Sequence, residues 1–218
     1  MIDLQKHEQF EIEVLKLLSD HQLLNPLIFG GGTCLRLCFG LNRYSVDLDF
    51  WILKEEDVNF FTKLKTVLSG KYKITDHHEK HFSFLSEISS PLYPRKLKIE
   101  IRKQKDVQEE TDLSIAFSPY ANQQVRLTTF TPQQMWKNKV SAFLDRAAIR
   151  DAYDLEFLFK KGYANMSSLS DDERKSMIET LDKFSTMDFT VRLGSLLEPD
   201  EREYYGKNGF KILRNALR

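Results

Sequence analysis

The residues of this chain best suited to chemistry are three glycines with a hydroxyl and, a short way on, two aspartates. In Phe29-Gly30-Gly31-Gly32-Thr33-Cys34-Leu35-Arg36-Leu37 a β-like run ends in the glycines and then becomes an apolar-periodic helix. Glycine lets a backbone approach a bulky anion closely, and the first free N–H groups of a helix face that anion with the positive end of the dipole behind them. Such a turn suits a phosphate. In Arg43-Tyr44-Ser45-Val46-Asp47-Leu48-Asp49-Phe50 the period-two alternation puts Asp47 and Asp49 on one strand face and Val46, Leu48 and Phe50 on the other. Two carboxylates side by side repel each other, and the physical remedy is a divalent cation between oxygen ligands of the kind Mg²⁺ prefers. A phosphate cradle followed, after one helix, by D-x-D is far more specific than either element alone.

The elements that must position these residues change character near Phe130. Before it, β-rich runs over 27–30, 46–53, 72–75, 82–88, 97–102 and 125–130 interleave with helices over 8–18 and 55–68, the second stopped by Gly70. This predicts an α+β half with a mixed or antiparallel sheet. After Thr131-Pro132, a cap followed by a first-turn proline, the pattern is helix after helix: 133–147, 149–160, 170–184 and shorter pieces to the end. The expected division is 1–130, an α+β domain, and 131–218, a helical bundle.

Composition narrows the class. With 41% hydrophobic and 29% charged residues the chain can bury a core, so disordered and fibrous classes are excluded. Lys+Arg 32 against Asp+Glu 32 cancels the global positive field of an electrostatic nucleic-acid binder, so any such contact must be local. No apolar run is long enough to span a membrane, and acids interrupt the amino terminus where a signal core would lie. Cys34 and Cys38, four apart on a helix, make no disulfide framework and read as small packing residues; a reducing cytoplasm is the expected compartment.

The order Gly31-Gly32-Thr33, then Asp47-x-Asp49, resembles the nucleotidyltransferase signature of the polymerase-beta-like superfamily. The fuller form, with Arg43-x-Ser45 ahead of Asp47-Leu48-Asp49-Phe50, is similar to the AbiEii/AbiGii toxin family of bacterial toxin–antitoxin and phage-exclusion systems. Lys139-x-x-Ala142-x-Leu144-x-Arg146-x-x-x-Arg150-Asp151-x-Tyr153-Asp154-Leu155 resembles that family's downstream motif in residue type and spacing. The resemblance implies a polymerase-beta-like domain with a mixed sheet, and transfer of a nucleoside monophosphate from an NTP to a hydroxyl with Mg²⁺ or Mn²⁺. It implies that Gly31, Gly32, Thr33, Arg43, Ser45 and Lys139 bind nucleotide, and that Asp47 and Asp49 hold metal. It further implies that Lys139 and the pair Asp151 and Asp154 take part in catalysis, with the roles of the two aspartates left open. Tyr153 and Arg146 would be structural members of the same cluster.

Relatives complete the metal site with a carboxylate on a later strand, and here the candidate is Glu100, on the polar face of Leu97-Lys98-Ile99-Glu100-Ile101-Arg102. The longer side chain leaves open a metal held by Asp47 and Asp49 alone. The local basic stretch over 95–105 suits an RNA acceptor. The family further implies a growth-inhibiting toxin, in some relatives acting on a tRNA 3′ end, with a separately encoded antitoxin and no membrane partner. An aminoglycoside-like small molecule or a protein remains open as acceptor, as does a non-catalytic nucleotide-binding module. His77, His78 and His81 have no cysteine beside them and read as a polar turn over 76–80 in preference to a zinc site.

Overall fold

The computed structural model describes residues 1–52, 59–103 and 110–218. They form two compact units, one of Met1–Gly40 with Tyr44–Phe130 and one of Leu41–Arg43 with Thr131–Arg218. The first unit is α+β, as its mixture of periods implies.

The first unit begins with α1 (Ile2–Asp20), which buries Phe10, Val14, Leu15 and Leu18. Strand β1 (Leu27–Gly30) runs straight into α2 (Gly31–Phe39), and Gly40 ends that helix in the left-handed conformation that β-carbons disfavour. There follow β2 (Asp47–Ile52), α3 (Phe60–Lys71), β3 (Lys73–Glu79), β4 (Ser83–Ser89), β5 (Leu97–Arg102), β6 (Thr111–Phe117) and β7 (Gln124–Phe130). Among the described residues these strands make one sheet in the order β3-β4-β5-β2-β1-β7-β6. It is mixed: β2 pairs β5 in parallel and β1 pairs β7 in parallel, while the other neighbours are antiparallel.

Several elements depart from the sequence expectation. Of the expected helix over 55–68, residues 55–58 lie outside the described residues, as do Leu53 of the expected strand and 104–105 of the basic stretch. Gly70 does not stop α3, which continues to Lys71: a β-carbon at Gly70 would meet open space, and one interior glycine weakens a helix by only about 1 kcal/mol. The turn expected over 76–80 is instead the end of β3; the chain reverses after it, where Lys80 N–H donates to the Ser83 carbonyl at 2.8 Å. Strand β6 was not anticipated because it is an edge strand that turns Leu113, Ile115 and Phe117 outward and so lacks a polar-out alternation.

The core side of the sheet is apolar wherever the pleat dictates. Leu48 and Phe50 of β2 and Leu97, Ile99 and Ile101 of β5 are buried, and the Phe29 and Phe50 rings lie 5.1 Å apart. Phe10 stacks on Tyr93 at 4.5 Å and meets Tyr72 edge-on at 5.3 Å. Both tyrosine hydroxyls donate to Glu13, at 2.6 and 2.8 Å, so the same helix face supplies an apolar wedge and a polar anchor.

The second unit is helical. In α4 (Pro132–Arg146) the Thr131 hydroxyl caps the Gln134 N–H, Pro132 occupies the first turn and Ala147 closes the end in a left-handed conformation. Helix α5 (Ile149–Lys160) follows at once, then α6 (Asp171–Leu181), opened by a capping box between Ser170 and Glu173. A π-helical turn (Asp188–Leu193) precedes α7 (Pro199–Asn208) and α8 (Lys211–Ala216). Glu156 on α5 binds these pieces together. Fully buried, it accepts from Tyr205 Oη at 3.0 Å and from the Leu213 N–H at 2.9 Å, with Lys160 Nζ 3.0 Å away as counter-charge. Glu156→Ala strands a buried N–H and hydroxyl at once, and a loss of about 3 kcal/mol in denaturant unfolding is expected; unchanged stability would show that α7 and α8 are held by apolar packing alone.

Candidate active site

In the α+β unit the site is defined by the neighbours of β2. Register puts Gly30 of β1 opposite Asp49 on one side and Glu100 of β5 opposite it on the other. Asp47 stands opposite Lys98, and Trp51 opposite Arg102. Alternation therefore gathers Asp47, Asp49, Trp51, Lys98, Glu100 and Arg102 on one face, away from the Leu48 and Ile99 side. Trp51 bounds that face: its ring meets Phe130 edge-on at 5.0 Å, and the Arg102 guanidinium lies 4.9 Å from its centroid.

The glycine turn is shaped by the same strand. Gly31 has φ +73°, and a β-carbon there would lie 2.2 Å from Asp49 Oδ2. A β-carbon at Gly30 would lie 2.6 Å from the Trp51 ring. The Asp49 carboxylate thus rests against backbone that only glycine leaves open. Gly32 is buried, and the buried Thr33 donates through Oγ1 to the Asp47 main-chain carbonyl at 2.6 Å, fastening α2 to the head of β2. Ser45 is half-buried in the segment entering β2.

The acidic face carries its own counter-ion. Lys98 Nζ lies 3.7 Å from Asp47 Oδ2 and 3.5 Å from Glu100 Oε2. The donors are carboxylate oxygens, which fits a hard divalent cation, and a cation already stands among them. Among the described residues no three His, Cys, Asp or Glu side chains converge as a metal-holding group.

Behind β2 lies a buried polar layer that sequence reasoning missed. His7 donates through Nε2 to the Val46 carbonyl at 3.0 Å, leaving Nδ1 without a partner. Glu8 accepts from Arg36 Nε at 2.8 Å. Burial, then the charges of Glu8 and Asp47, hold the Glu11 carboxyl well above its usual range, while burial depresses His7. His7 Nε2 lies 3.6 Å from Glu11 Oε1, and both shifts favour the uncharged forms. Their spacing along the stripe of Phe10 and Val14 was the available signal: polar residues interrupting a buried helix face.

In the helical unit the downstream motif forms a chain of alternating charges. Arg43 binds Asp154 through Nε at 2.6 Å and Nη2 at 2.7 Å, both residues being buried. Lys139 Nζ lies 2.6 Å from Asp154 Oδ2 and 3.2 Å from Asp151 Oδ1. Arg146 closes the row with Nε at 2.7 Å and Nη2 at 2.8 Å from the two Asp151 oxygens. Burial pushes the Asp151 carboxyl up, but its bonds to Arg146 and the charge of Lys139 outweigh that and hold it below the usual range. Arg43, expected near nucleotide, and Lys139, expected on triphosphate, are both committed to these aspartates, while Tyr153 donates to Glu201 at 2.9 Å.

The family model for the nucleotidyl transferase AbiEii toxin of type IV toxin–antitoxin systems matches residues 13–205. The chain belongs to the AbiEii nucleotidyltransferase toxin family. Two solved structures from Helicobacter pylori resemble this AbiEii-family chain. JHP933 shares 20% identity at a TM-score of 0.57, covering 98% of this chain and 93% of that one. A proposed nucleotidyltransferase shares 20% identity at a TM-score of 0.58, covering 97% and 94%. At that identity the likeness speaks for the fold. No curated protein matches the chain.

Two outcomes follow for the AbiEii chain. Asp154→Asn leaves Arg43 buried against half a partner, and a loss of about 3 to 5 kcal/mol in urea unfolding is expected; a loss below about 1 kcal/mol would mean that the cluster opens to water. Glu11 has a raised folded pKa, so its contribution to stability is complete below its usual value of 4.5 and is lost as pH rises through the folded value. Glu11→Gln should therefore raise the melting temperature at about pH 8 and leave it nearly unchanged at about pH 4; equal effects at both would refute the burial of a protonated carboxyl.

Proposed function

We propose that this chain transfers a nucleoside monophosphate from an NTP to a hydroxyl on RNA, such as a tRNA 3′ end, in a metal-dependent reaction. The observation that carries this reading is the register of β2: Asp47 and Asp49 share a face with Glu100 in step on the parallel neighbour, beside a turn that only glycine can make. Asp47 and Asp49 are the ligands that would hold Mg²⁺ or Mn²⁺, with Glu100 as the third donor. When bound, such a cation supplies charge neutralisation at the α-phosphate and acidifies the attacking hydroxyl.

The chain's own groups do the rest. The Gly31 and Gly32 backbone and the start of α2 offer N–H groups to the phosphates, and Thr33 keeps that helix in place against β2. The acceptor oxygen bonds to the α-phosphorus, the bond to the β-phosphate oxygen breaks, and pyrophosphate and a proton leave. Lys98 and Arg102, on the same face, are cations available to the polyphosphate once Lys98 leaves the carboxylates. In the helical unit Lys139 is the cation suited to an anionic ligand, held by Asp151 and Asp154, with Arg43 positioning Asp154.

Membership of the family supports a toxin role with a separately encoded antitoxin. No described helix is long and apolar enough to cross a membrane, and the proposed place of action is the cytoplasm. The test is transfer of α-³²P label from each of the four NTPs, with Mg²⁺, to total bacterial RNA and protein. Label in a tRNA-sized band is expected, and Asp49→Ala should lower its rate by at least about 100-fold with the fold intact by circular dichroism. Label in protein or a small molecule would move the acceptor, and wild-type turnover by Asp49→Ala would sink the metal assignment.

A further inference from the structure

The helical unit contains a second place where chemistry converges, independent of the reaction proposed for the α+β unit. A cavity of about 510 Å³ opens between the end of α6, the π-helical turn, the α7–α8 corner and α8 itself. That is a volume suited to a small organic ligand. Phe189 comes from the π-helical turn and lies half-buried at this cavity, its ring 5.3 Å from that of Phe210 below. Short π-helical stretches are rare and tend to occur where a side chain must be re-aimed.

The polar lining is cationic. Lys211, Arg214 and Arg218 line the cavity against one carboxylate, Asp182. Arg214 donates through Nη2 to Asp182 at 2.8 Å, but its Nε is buried with no partner. Asn208 lines the same opening, its Nδ2 donating to the Tyr204 carbonyl at 2.9 Å. An aromatic ring and three cations around one opening are the features that bind a base together with its phosphate.

We propose that this cavity binds a nucleotide unit, the base stacked on Phe189 and the phosphate held by Lys211 and Arg214. The unit comes either from a free nucleotide or from a single-stranded RNA. The test is calorimetric titration of the whole chain with AMP, with a ten-residue oligo(A) and with inorganic phosphate, beside Lys211→Ala and Phe189→Leu. Lys211 is exposed and Phe189→Leu keeps apolar bulk, so both variants should stay folded by circular dichroism.

AMP or oligo(A) should bind, and each substitution should weaken that binding by about tenfold. Tighter binding of the oligonucleotide than of AMP assigns the RNA source, and equal binding assigns the free nucleotide. The proposal is overturned if neither probe binds, if both substitutions leave the affinities unchanged, or if phosphate binds as tightly as AMP with Phe189→Leu silent. Because binding is read without turnover, this result stands or falls apart from the label-transfer assay.

Discussion

The arrangement of the α+β unit depends on one steric fact: the Asp49 carboxylate fills the place that a β-carbon on Gly31 would take, 2.2 Å away. The close approach of turn and strand makes the acidic face and the start of α2 a single feature. It works because β1 and β2 are hydrogen-bonded neighbours with Gly30 opposite Asp49. Trp51 enforces the same constraint one pleat further along, where it leaves no room for a side chain at Gly30. Replace either glycine, and the strand that carries the acids must move.

Around that constraint the charges are balanced in two different ways. On the sheet, Lys98 lies 3.7 Å from Asp47 and 3.5 Å from Glu100, partly exposed. In the helical unit Arg43 is a forked guanidinium fitted to Asp154 with both partners out of water. A fork that matches its acid atom for atom orders the surrounding helices; a point charge between two acids can be exchanged for another cation. The chemistry proposed for this family member uses the exchangeable set, and the fixed set holds one ammonium in place.

Much of this was legible from residue types. The alternation in 97–102 placed Glu100 and Lys98 on one face, D-x-D fell on β2, and Thr131-Pro132 and Ser170 opened helices as their chemistry dictates. Pairing across the chain was not legible. That β5 lies parallel to β2 and in step with it depends on long-range register, which local pattern does not encode. Thr33 reads as a phosphate-binding hydroxyl in any glycine turn, and only the tertiary contact shows it bonded to a carbonyl. Edge strand β6 escaped because its apolar residues face outward, and the buried His7 and Glu11 because they are polar residues facing inward.

Arg43 belongs to the helical unit although the chain on either side of it belongs to the other. The polypeptide therefore passes between the two units three times, after Gly40, after Arg43 and after Phe130. A piece spanning only 131–218 would lack the guanidinium that neutralises Asp154, and would have to keep that buried acid with Lys139 alone. The helical unit is thus built from two separate stretches of chain, with Arg43 supplied nearly ninety residues before Thr131. That wiring makes separate evolution or exchange of the two units difficult, since neither is a contiguous stretch of gene.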